Sequence, residues 1–204
     1  MDMSPASARS LQAIIFDLDG TLVDSRLDFA AMRRELSAPA GLGLLEYIES
    51  LPDEGARREA MAVVHRHELA GAEAATWMPG AEEVLLRLCD AGVPSAIVTR
   101  NSRRAARRTM ERLAMPSIPL KAREDAAPKP DPEALLAIAD AWRMPAARCA
   151  YVGDFRYDIE AAQRAGMLPV LYVGEGMLPE EHAGAVDVLR HFHEILRWFG
   201  LRLR

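Results

Sequence analysis

Two aspartates that follow an apolar run are the residues of this sequence best placed to do chemistry. Asp17 and Asp19 come directly after residues 13–16, an apolar segment that predicts a buried strand. Because an extended chain repeats every two residues, both carboxylates project to the same side of that strand. Two like charges there are unfavourable unless a cation or a substrate pairs with them. The alternative is a solvated turn, since Asp and Gly both favour turns.

Polar residues also follow the other predicted strands. Thr99 follows a second apolar segment and precedes a predicted helix, where a hydroxyl and backbone amides suit an anion. Lys129 lies between two prolines, and Asp154 follows a further strand, with Asp158 four residues later. Ligands of parallel sheets bind beyond the carboxyl ends of the strands, so we expect these groups to gather at one edge with the two aspartates.

This set of groups suits phosphoryl transfer. Three carboxylates in one cleft favour a hard divalent cation, Mg²⁺ by preference. The metal and a lysine together neutralise a phosphoryl group and an attacking carboxylate, so that one aspartate can act as nucleophile and another as acid and base. Each residue alone could instead be a helix cap, a strand end or a solvated loop residue. Their joint placement argues against all of those alternatives at once.

Strand-like and helix-like segments alternate along the chain, with apolar stripes at helical spacing between the strands. Strands are predicted at residues 11–16, 95–98, 117–120, 150–152 and 170–173. Asp131 and Pro132 predict a helix start, as N-cap and first helical residue. The pattern predicts an α/β fold with a Rossmann-like, doubly wound parallel sheet.

One region has no convincing strand and carries helical patterns instead, at residues 29–36, 44–50 and 56–72. We therefore expect a core formed by residues 1–24 and 78–204, with a small all-helical cap inserted at residues 25–77. The insert leaves the core just after the paired aspartates and then returns to it. It is therefore expected to lie over them as a lid.

Composition narrows the partners and the compartment. The 204-residue chain carries a formal net charge of −5, which argues against a nucleic-acid partner. Only two of its 25 basic residues are lysines, so a lysine at a strand end is less easily a coincidence. Cys89 and Cys149 lie among apolar neighbours and predict buried side chains rather than a disulfide. Residues 1–10 lack the apolar core of a signal peptide and no stretch has membrane-spanning length, so we expect a reduced, cytoplasmic compartment.

The sequence resembles the haloacid dehalogenase superfamily, in its phosphatase branch. Four motifs in the family's order carry the resemblance: Asp17-Leu-Asp19-Gly20-Thr21-Leu-Val-Asp24, Val98-Thr99-Arg100-Asn101, Pro128-Lys129-Pro130-Asp131-Pro132 and Gly153-Asp154-Phe-Arg-Tyr-Asp158. The resemblance covers essentially the whole chain. Its layout is nearest to phosphoglycolate phosphatases and β-phosphoglucomutases, and the helical insert resembles their small type-1 cap.

The resemblance implies a role for each motif in hydrolysis of a phosphate ester. Asp17 would attack phosphorus and form an aspartyl-phosphate. Asp19 would protonate the leaving oxygen and then activate the water that hydrolyses the intermediate. Thr99 and the backbone amide of Arg100 would hold phosphoryl oxygens, and Lys129 would steady the negative charge.

The resemblance also implies a metal site. Mg²⁺ would be held by the Asp17 carboxylate, the backbone carbonyl of Asp19 and the carboxylate of Asp154. Asp158 would support the water molecules around the metal. The implied function is therefore a Mg²⁺-dependent phosphatase.

Two other functions use the same fold. A phosphomutase of the β-phosphoglucomutase type keeps the same catalytic pairs and is the enzymatic alternative. A non-catalytic, phosphate-binding regulatory module is the alternative of a different class, and the intact acids argue against it. A dehalogenase is disfavoured because that branch does not need Asp19. Phe155 after the metal aspartate and Arg100 after Thr99 depart from the common pattern, and both bear on how a substrate fits.

The expected partner is a small phosphorylated metabolite, bound by a monomer or a homodimer. Cap side chains would select it, and the polar candidates are Arg33, Arg34, Tyr47, Arg57, Arg58, His65 and Arg66. Two or more arginines facing the site would favour an acidic substrate such as a phosphorylated carboxylate.

Overall fold

Six parallel strands form the central sheet. The structure is a computed structural model and describes residues 11–176 and 187–202. The strands of those residues are, in chain order, β1 Ala13–Phe16, β2 Val23–Asp24, β3 Thr76–Trp77, β4 Ser95–Val98, β5 Leu120–Lys121, β6 Cys149–Gly153, β7 Leu168–Tyr172 and β8 Asp187–Leu189. The sheet has the order β5–β4–β1–β6–β7–β8, and β2 pairs with β3 in a separate ribbon. Every neighbouring pair of the sheet is parallel.

Helices cover both faces of this sheet. The α-helices of the described residues are α1 Phe29–Leu36, α2 Leu44–Glu49, α3 Glu54–Ala74, α4 Ala81–Asp90, α5 Arg103–Arg112, α6 Glu133–Ala141, α7 Arg156–Ala165 and α8 Glu194–Trp198. Residues of α4, α5 and α8 share one apolar cluster with the sheet, and residues of α6 and α7 share the other. The α/β fold predicted from the sequence, with helices on both faces of a parallel sheet, is confirmed.

The central strand shows why the sequence forms this arrangement. Ile14 and Phe16 pack in the cluster on one face, whereas Ala13 and Ile15 pack in the cluster on the other, and all four are fully buried. Successive side chains of a strand point to opposite faces, so a strand that is covered twice needs an uninterrupted apolar run.

The order of the strands places the polar groups together. From β1 the chain moves outward through β4 to β5, and then returns to build β6, β7 and β8 on the other side. The carboxyl ends of β4, β1 and β6 are therefore adjacent, at the point where the direction of winding reverses. Asp17, Thr99 and Asp154 each follow one of these three strands, at the edge where such sheets bind ligands.

Three helices, α1 to α3, fill the stretch between β2 and β3 and form the helical insert. The carboxylates of Asp28 and Asp53 begin α1 and α3 by accepting the N–H groups of Ala31 at 2.7 Å and Ala56 at 2.8 Å. Helix α3 packs against α1 and α2 and also against α5 of the core. The insert therefore contacts the core along one of its helices as well as through its two chain connections.

The ribbon of β2 and β3 ties those two connections together. Val23 pairs with Trp77, and Asp24 pairs with Thr76. The sequence predicted no strand in this region, and the two-residue β3 corrects that prediction, because two residues are too few for a period-two pattern to be recognised. The division into a core of residues 1–24 and 78–204 and a cap of residues 25–77 stays a prediction.

The edge strand β5 is shorter than predicted. The sequence predicted a strand at residues 117–120, but only Leu120 and Lys121 pair with β4. Pro119 has no N–H to donate to the ladder, and only its carbonyl is used, by the N–H of Ile97 at 2.8 Å.

Two further details differ from the predictions. Helix α6 begins one residue later than expected, with Pro132 as its N-cap, and Asp131 instead accepts the N–H of Glu133 at 2.9 Å. The three-residue β8 at the sheet edge was not predicted. Residues 1–10, where no signal peptide is expected, lie outside the described residues.

The described helices lack the features of membrane-spanning segments. Among residues 11–176 and 187–202, no helix has the length and apolar character that crossing a bilayer requires.

Adjacent leucines of α6 test the packing of the core. Leu135 is fully buried, whereas its neighbour Leu136 is 37% exposed. We expect Leu135→Ala to lower the free energy of unfolding by about 2–5 kcal/mol, because it removes buried methyl groups and leaves a cavity. Leu136→Ala is the matched control and should change it little. Denaturant unfolding of both variants measures this difference, and equal effects would contradict the packing described here.

Candidate active site

A buried lysine lies at the centre of the polar groups. The Lys129 ammonium is 2.8 Å from Asp17 Oδ1 and 2.5 Å from Asp158 Oδ1, and it donates to the Tyr151 hydroxyl at 2.8 Å. Lys129 is only 4% exposed. Burial alone would lower its pKa, but the carboxylates of Asp158 and Asp17 raise it above the usual range. The lysine is therefore a permanent cation between two carboxylates.

Three carboxylates surround this cation. Oxygen atoms of Asp17, Asp154 and Asp158 lie within 4.8 Å of one another. Burial raises the pKa of Asp17, as do Asp158 and Asp154, while Lys129 opposes the shift. Partial loss of water and the neighbouring Asp158 raise the pKa of Asp154 to about 6. With all three ionised, one ammonium leaves the cluster two negative charges in excess, an imbalance that a divalent cation would correct.

The donor set fits Mg²⁺ in its chemistry. Hard divalent cations bind oxygen ligands, and every ligand atom of this cluster is a carboxylate oxygen. Asp158 also meets other demands, since its Oδ1 contacts Lys129 and its Oδ2 accepts the N–H of Phe155 at 3.0 Å. Asp17 and Asp154 are therefore the carboxylates better able to contact a metal directly.

Two glycines allow the carboxylates to approach the backbone. A Cβ on Gly20 would lie 2.3 Å from Asp154 Oδ2, and Gly20 adopts a φ of +83°. A Cβ on Gly153 would lie 2.3 Å from the Cβ of Asp158. Next to Gly20, the Thr21 hydroxyl donates to Asp154 Oδ1 at 3.0 Å. The turn after β1 therefore helps to orient an acid that follows β6.

Asp19 has a different environment from Asp17. Its Oδ2 accepts the side-chain N–H of Asn101 at 3.0 Å, and its buried Oδ1 has no hydrogen-bond partner within the described residues. Burial raises the pKa of Asp19, although the side chains of Ser25 and then Asn101 oppose the shift by hydrogen bonding. A carboxyl with a raised pKa and an unpartnered oxygen is suited to accept and release a proton.

The loop after β4 brings a hydroxyl to this edge. Thr99 is buried, and its Oγ1 accepts the N–H of Asn101 at 3.0 Å. Asn101 Oδ1 in turn accepts the N–H of Ser102, the N-cap of α5, at 2.8 Å. Asn101 therefore stabilises the loop and also holds Asp19. The residue is part of a motif quoted from the sequence, but sequence reasoning did not predict this role.

The side chain of Arg100 contacts the insert, separately from the role implied for its backbone amide. The predicted phosphate contact is its backbone amide, whereas its guanidinium pairs with Glu46 Oε1 of α2 at 2.5 Å. The same guanidinium lies over the ring of Tyr157, 4.8 Å from its centroid. Arg100 therefore joins the loop after β4 to the insert.

A second ion pair joins the insert to this loop and is more deeply buried. Glu68 of α3 and Arg123 contact each other at 2.6 and 3.2 Å, with side chains 6% and 13% exposed. Arg123 also donates to the carbonyl of Arg100 at 3.0 Å. Glu68 and Arg123 carried no signal in the sequence, because each is an ordinary charge on a helix or loop until the fold brings them together.

The site opens into a cleft of about 790 Å³ between the sheet edge and the helical insert. Among the seven polar residues proposed from the sequence to select the substrate, only Arg33 lines this cleft. Its guanidinium donates to the carbonyls of Pro39 at 2.9 Å and Leu42 at 2.6 Å. Of the candidates named from the sequence, Arg33 is therefore the one placed to contact a substrate; Arg26 of the insert, which was not among them, also lines the cleft.

Comparisons with known proteins point to one family. A family model for haloacid dehalogenase-like hydrolases matches residues 11–166. A haloacid dehalogenase-like hydrolase domain-containing protein of Arabidopsis thaliana is 30% identical over 174 residues, which cover 79% of this chain and 70% of the relative. A phosphoglycolate phosphatase of Xanthomonas campestris pv. campestris is 32% identical over 177 residues, covering 76% of this chain and 80% of the relative.

A solved structure agrees with these matches. The crystal structure of a hydrolase from Pseudomonas syringae superposes with a TM-score of 0.74 and 26% identity, covering 91% of this chain and 96% of that chain.

The Glu68–Arg123 pair should support the fold. We expect Arg123→Met to lower the free energy of unfolding by about 3–5 kcal/mol, because it leaves the Glu68 carboxylate buried and unpaired. The double variant Glu68→Leu/Arg123→Met should regain most of that loss. Arg108→Ala is the matched control, since it breaks an exposed pair with Glu73, and should have little effect. Denaturant unfolding compares the three, and a loss no larger than that of Arg108→Ala would contradict the role of the pair.

Proposed function

The chain belongs to the haloacid dehalogenase-like hydrolase family, and from that premise we propose that it is a Mg²⁺-dependent phosphatase acting on a small phosphomonoester. The family that its four motifs resemble is thus the family of this chain, and the protein is an enzyme. The observation that carries the proposal is the ammonium of Lys129 between the carboxylates of Asp17 and Asp158. The phosphatase relative described above supports it.

Asp17 is the proposed nucleophile. It lies at the carboxyl end of the central strand, where its N–H donates to the carbonyl of Val152 at 2.8 Å. Its contact with Lys129 favours the ionised form that attack on phosphorus requires. In the proposed reaction, one oxygen of Asp17 bonds to phosphorus as the bond to the leaving oxygen breaks.

Asp19 is the proposed acid and base. In its protonated form it gives a proton to the leaving oxygen, and as a carboxylate it then takes one from the water that attacks the aspartyl-phosphate. The hydrogen bond from Asn101 orients this carboxyl and leaves its other oxygen for the proton. The raised pKa of Asp19 supports the first of these steps.

Three further groups are proposed to hold the phosphoryl group. They are the hydroxyl of Thr99, the backbone amide of Arg100 and the ammonium of Lys129. Thr99 and Lys129 are buried at the bottom of the cleft, so their charge and polarity act with little screening by water.

Mg²⁺ is proposed to bind the carboxylates of Asp17 and Asp154 and the carbonyl of Asp19, with Asp158 supporting its water ligands. When bound, the ion would neutralise charge on the phosphoryl group and on the attacking carboxylate. Thr21 steadies Asp154 through its hydroxyl hydrogen bond.

The helical insert, residues 25–77, is proposed to act as a cap over the cleft. Two ion pairs support this role: Glu46 of the insert pairs with Arg100 of the loop after β4, and Glu68 pairs with Arg123, which donates to the carbonyl of Arg100. The proposed substrate is a small phosphorylated metabolite of the cytoplasm, and the proposed assembly is a monomer or a homodimer.

Hydrolysis of p-nitrophenyl phosphate tests the activity. We expect release of p-nitrophenol with Mg²⁺ and none with EDTA, because the carboxylate cluster is not neutralised without the cation. Folded protein that releases no p-nitrophenol under either condition would contradict the proposed function.

Two substitutions test the roles of the paired aspartates. We expect Asp17→Asn and Asp19→Asn each to lower kcat by about 10³-fold or more, because the first removes the nucleophile and the second removes the group that transfers protons in both steps. Asp140→Asn, at an exposed position of α6, is the matched control and should keep full activity. Circular dichroism establishes that the variants are folded, and an active Asp17→Asn enzyme would refute the assignment of the nucleophile.

Metal binding should depend on pH through Asp154. A carboxyl whose pKa is raised to about 6 on folding stabilises the protein at low pH, and this stability is lost as the pH rises through that value. Mg²⁺ competes with the proton, so we expect it to raise Tm more at about pH 7.5 than at about pH 5. Thermal unfolding with Mg²⁺ and with EDTA measures this. Asp154→Asn should remove most of the effect, and a Mg²⁺ shift that is equal at both pH values would contradict it.

A further inference from the structure

Exposed apolar side chains line the cleft above the phosphate-binding groups. Within the described residues, five large apolar side chains are exposed, and three of them line this cleft. These three are Phe29 and Leu42 of the insert and Phe155 of the core, which are 58%, 38% and 54% exposed. Exposed apolar side chains that converge on a cleft beside a reactive group are typical of a ligand surface.

Other apolar residues extend this surface. The other apolar residues of the insert that line the cleft are Leu27, Met32, Leu44, Leu45 and Val64. On the core side, the ring of Phe155 packs edge to face against Tyr157, with centroids 5.2 Å apart. The two walls of the cleft therefore both offer apolar contact.

The arginines at the rim of the cleft already have partners. Arg33 donates to two backbone carbonyls of the loop between α1 and α2. Arg26 lies 3.9 Å from the Asp24 carboxylate, and Arg156 stacks over the ring of Tyr157 at 4.9 Å from its centroid.

The two arginines deeper in the cleft are also paired. Arg100 contacts Glu46, and Arg123 contacts Glu68. The second oxygen of Glu46 is buried without a hydrogen-bond partner among the described residues. At this depth a second negative charge on a substrate would therefore meet two arginines that are already paired with carboxylates, and a Glu46 oxygen that has no partner among the described residues.

We propose that the leaving group of the substrate is uncharged and largely apolar, and that Phe29, Leu42 and Phe155 select it. This inference rests on the proposed phosphatase function and goes beyond it. It separates this chain from its phosphoglycolate phosphatase relative, whose named substrate carries a carboxylate. The cleft of about 790 Å³ has room for a ring beside the phosphoryl group.

A pair of aryl phosphates tests the selection of charge. Phenyl phosphate and 4-carboxyphenyl phosphate differ by one carboxylate. With Mg²⁺, we expect kcat/KM for phenyl phosphate to exceed that for 4-carboxyphenyl phosphate, and that for 2-phosphoglycolate, by about 10-fold or more. Equal or greater kcat/KM for either acidic substrate would overturn the inference and leave the phosphatase function standing.

A pair of leucine variants tests the location of the selecting surface. Leu42 and Leu136 are almost equally exposed, at 38% and 37%, but only Leu42 lines the cleft. We expect Leu42→Ala to lower kcat/KM for phenyl phosphate by about 5–10-fold, since an apolar contact with the ring is lost, and Leu136→Ala to leave it unchanged. Equal values for the two variants would overturn the assignment of this surface.

Binding of phosphonates separates failure of the inference from failure of the proposed function. Phenylphosphonate and 4-carboxyphenylphosphonate cannot be hydrolysed, and calorimetry with Mg²⁺ measures their affinities whether or not the protein is a phosphatase. Tighter binding of phenylphosphonate, by about 10-fold, supports the apolar selection even if no phosphate ester is hydrolysed. Equal affinities, or tighter binding of the carboxylated compound, would overturn it.

Discussion

The site depends on the burial of one ammonium group among carboxylates. Lys129 is almost inaccessible to water, and its charge is compensated by Asp17 and Asp158. Neither a lone buried lysine nor a lone pair of buried acids would be stable in their ionised forms. The lysine therefore opposes the effect of burial, which raises the pKa of Asp17, at the end of the central strand. The Tyr151 hydroxyl of β6 completes its contacts.

The remaining features follow from this buried charge. The cluster has an excess of negative charge that protons or a divalent cation can balance. Burial, and then the neighbouring Asp158, raises the pKa of Asp154 to about 6. Asp19 stands apart, held by Asn101 instead of Lys129. Asp17 and Asp19, which both follow β1, thus have different partners, and this suits them to different chemical steps. Two ion pairs hold the insert, one with Arg100 of the loop after β4 and one with Arg123. The position of the insert sets the shape of the cleft, and these pairs couple it to the groups at the base of the cleft.

Sequence reasoning predicted the elements with strong local signals. The apolar strands followed by polar residues, and the three helices of the insert, are close to where periodicity put them. Contacts that depend on packing were beyond it: nothing local marks Glu68 as the partner of Arg123, or Tyr151 as a contact of Lys129. The insert arginines stayed candidates for substrate contact, because the helix orientations that direct most of those candidates away from the cleft arise only in the fold. Strand β5 is shorter than predicted because Pro119 has no N–H to donate, and a prediction from the apolar pattern alone does not take this into account.

Detection of the covalent intermediate identifies the residue that attacks phosphorus. Asp19→Asn protein should form the aspartyl-phosphate and hydrolyse it slowly, because the base that activates water is missing. The variant is mixed with Mg²⁺ and p-nitrophenyl phosphate, quenched in acid and mapped by mass spectrometry. We expect a phosphoryl group on Asp17. A phosphoryl group on any other residue, or release of p-nitrophenol with no phosphorylated peptide, would contradict it.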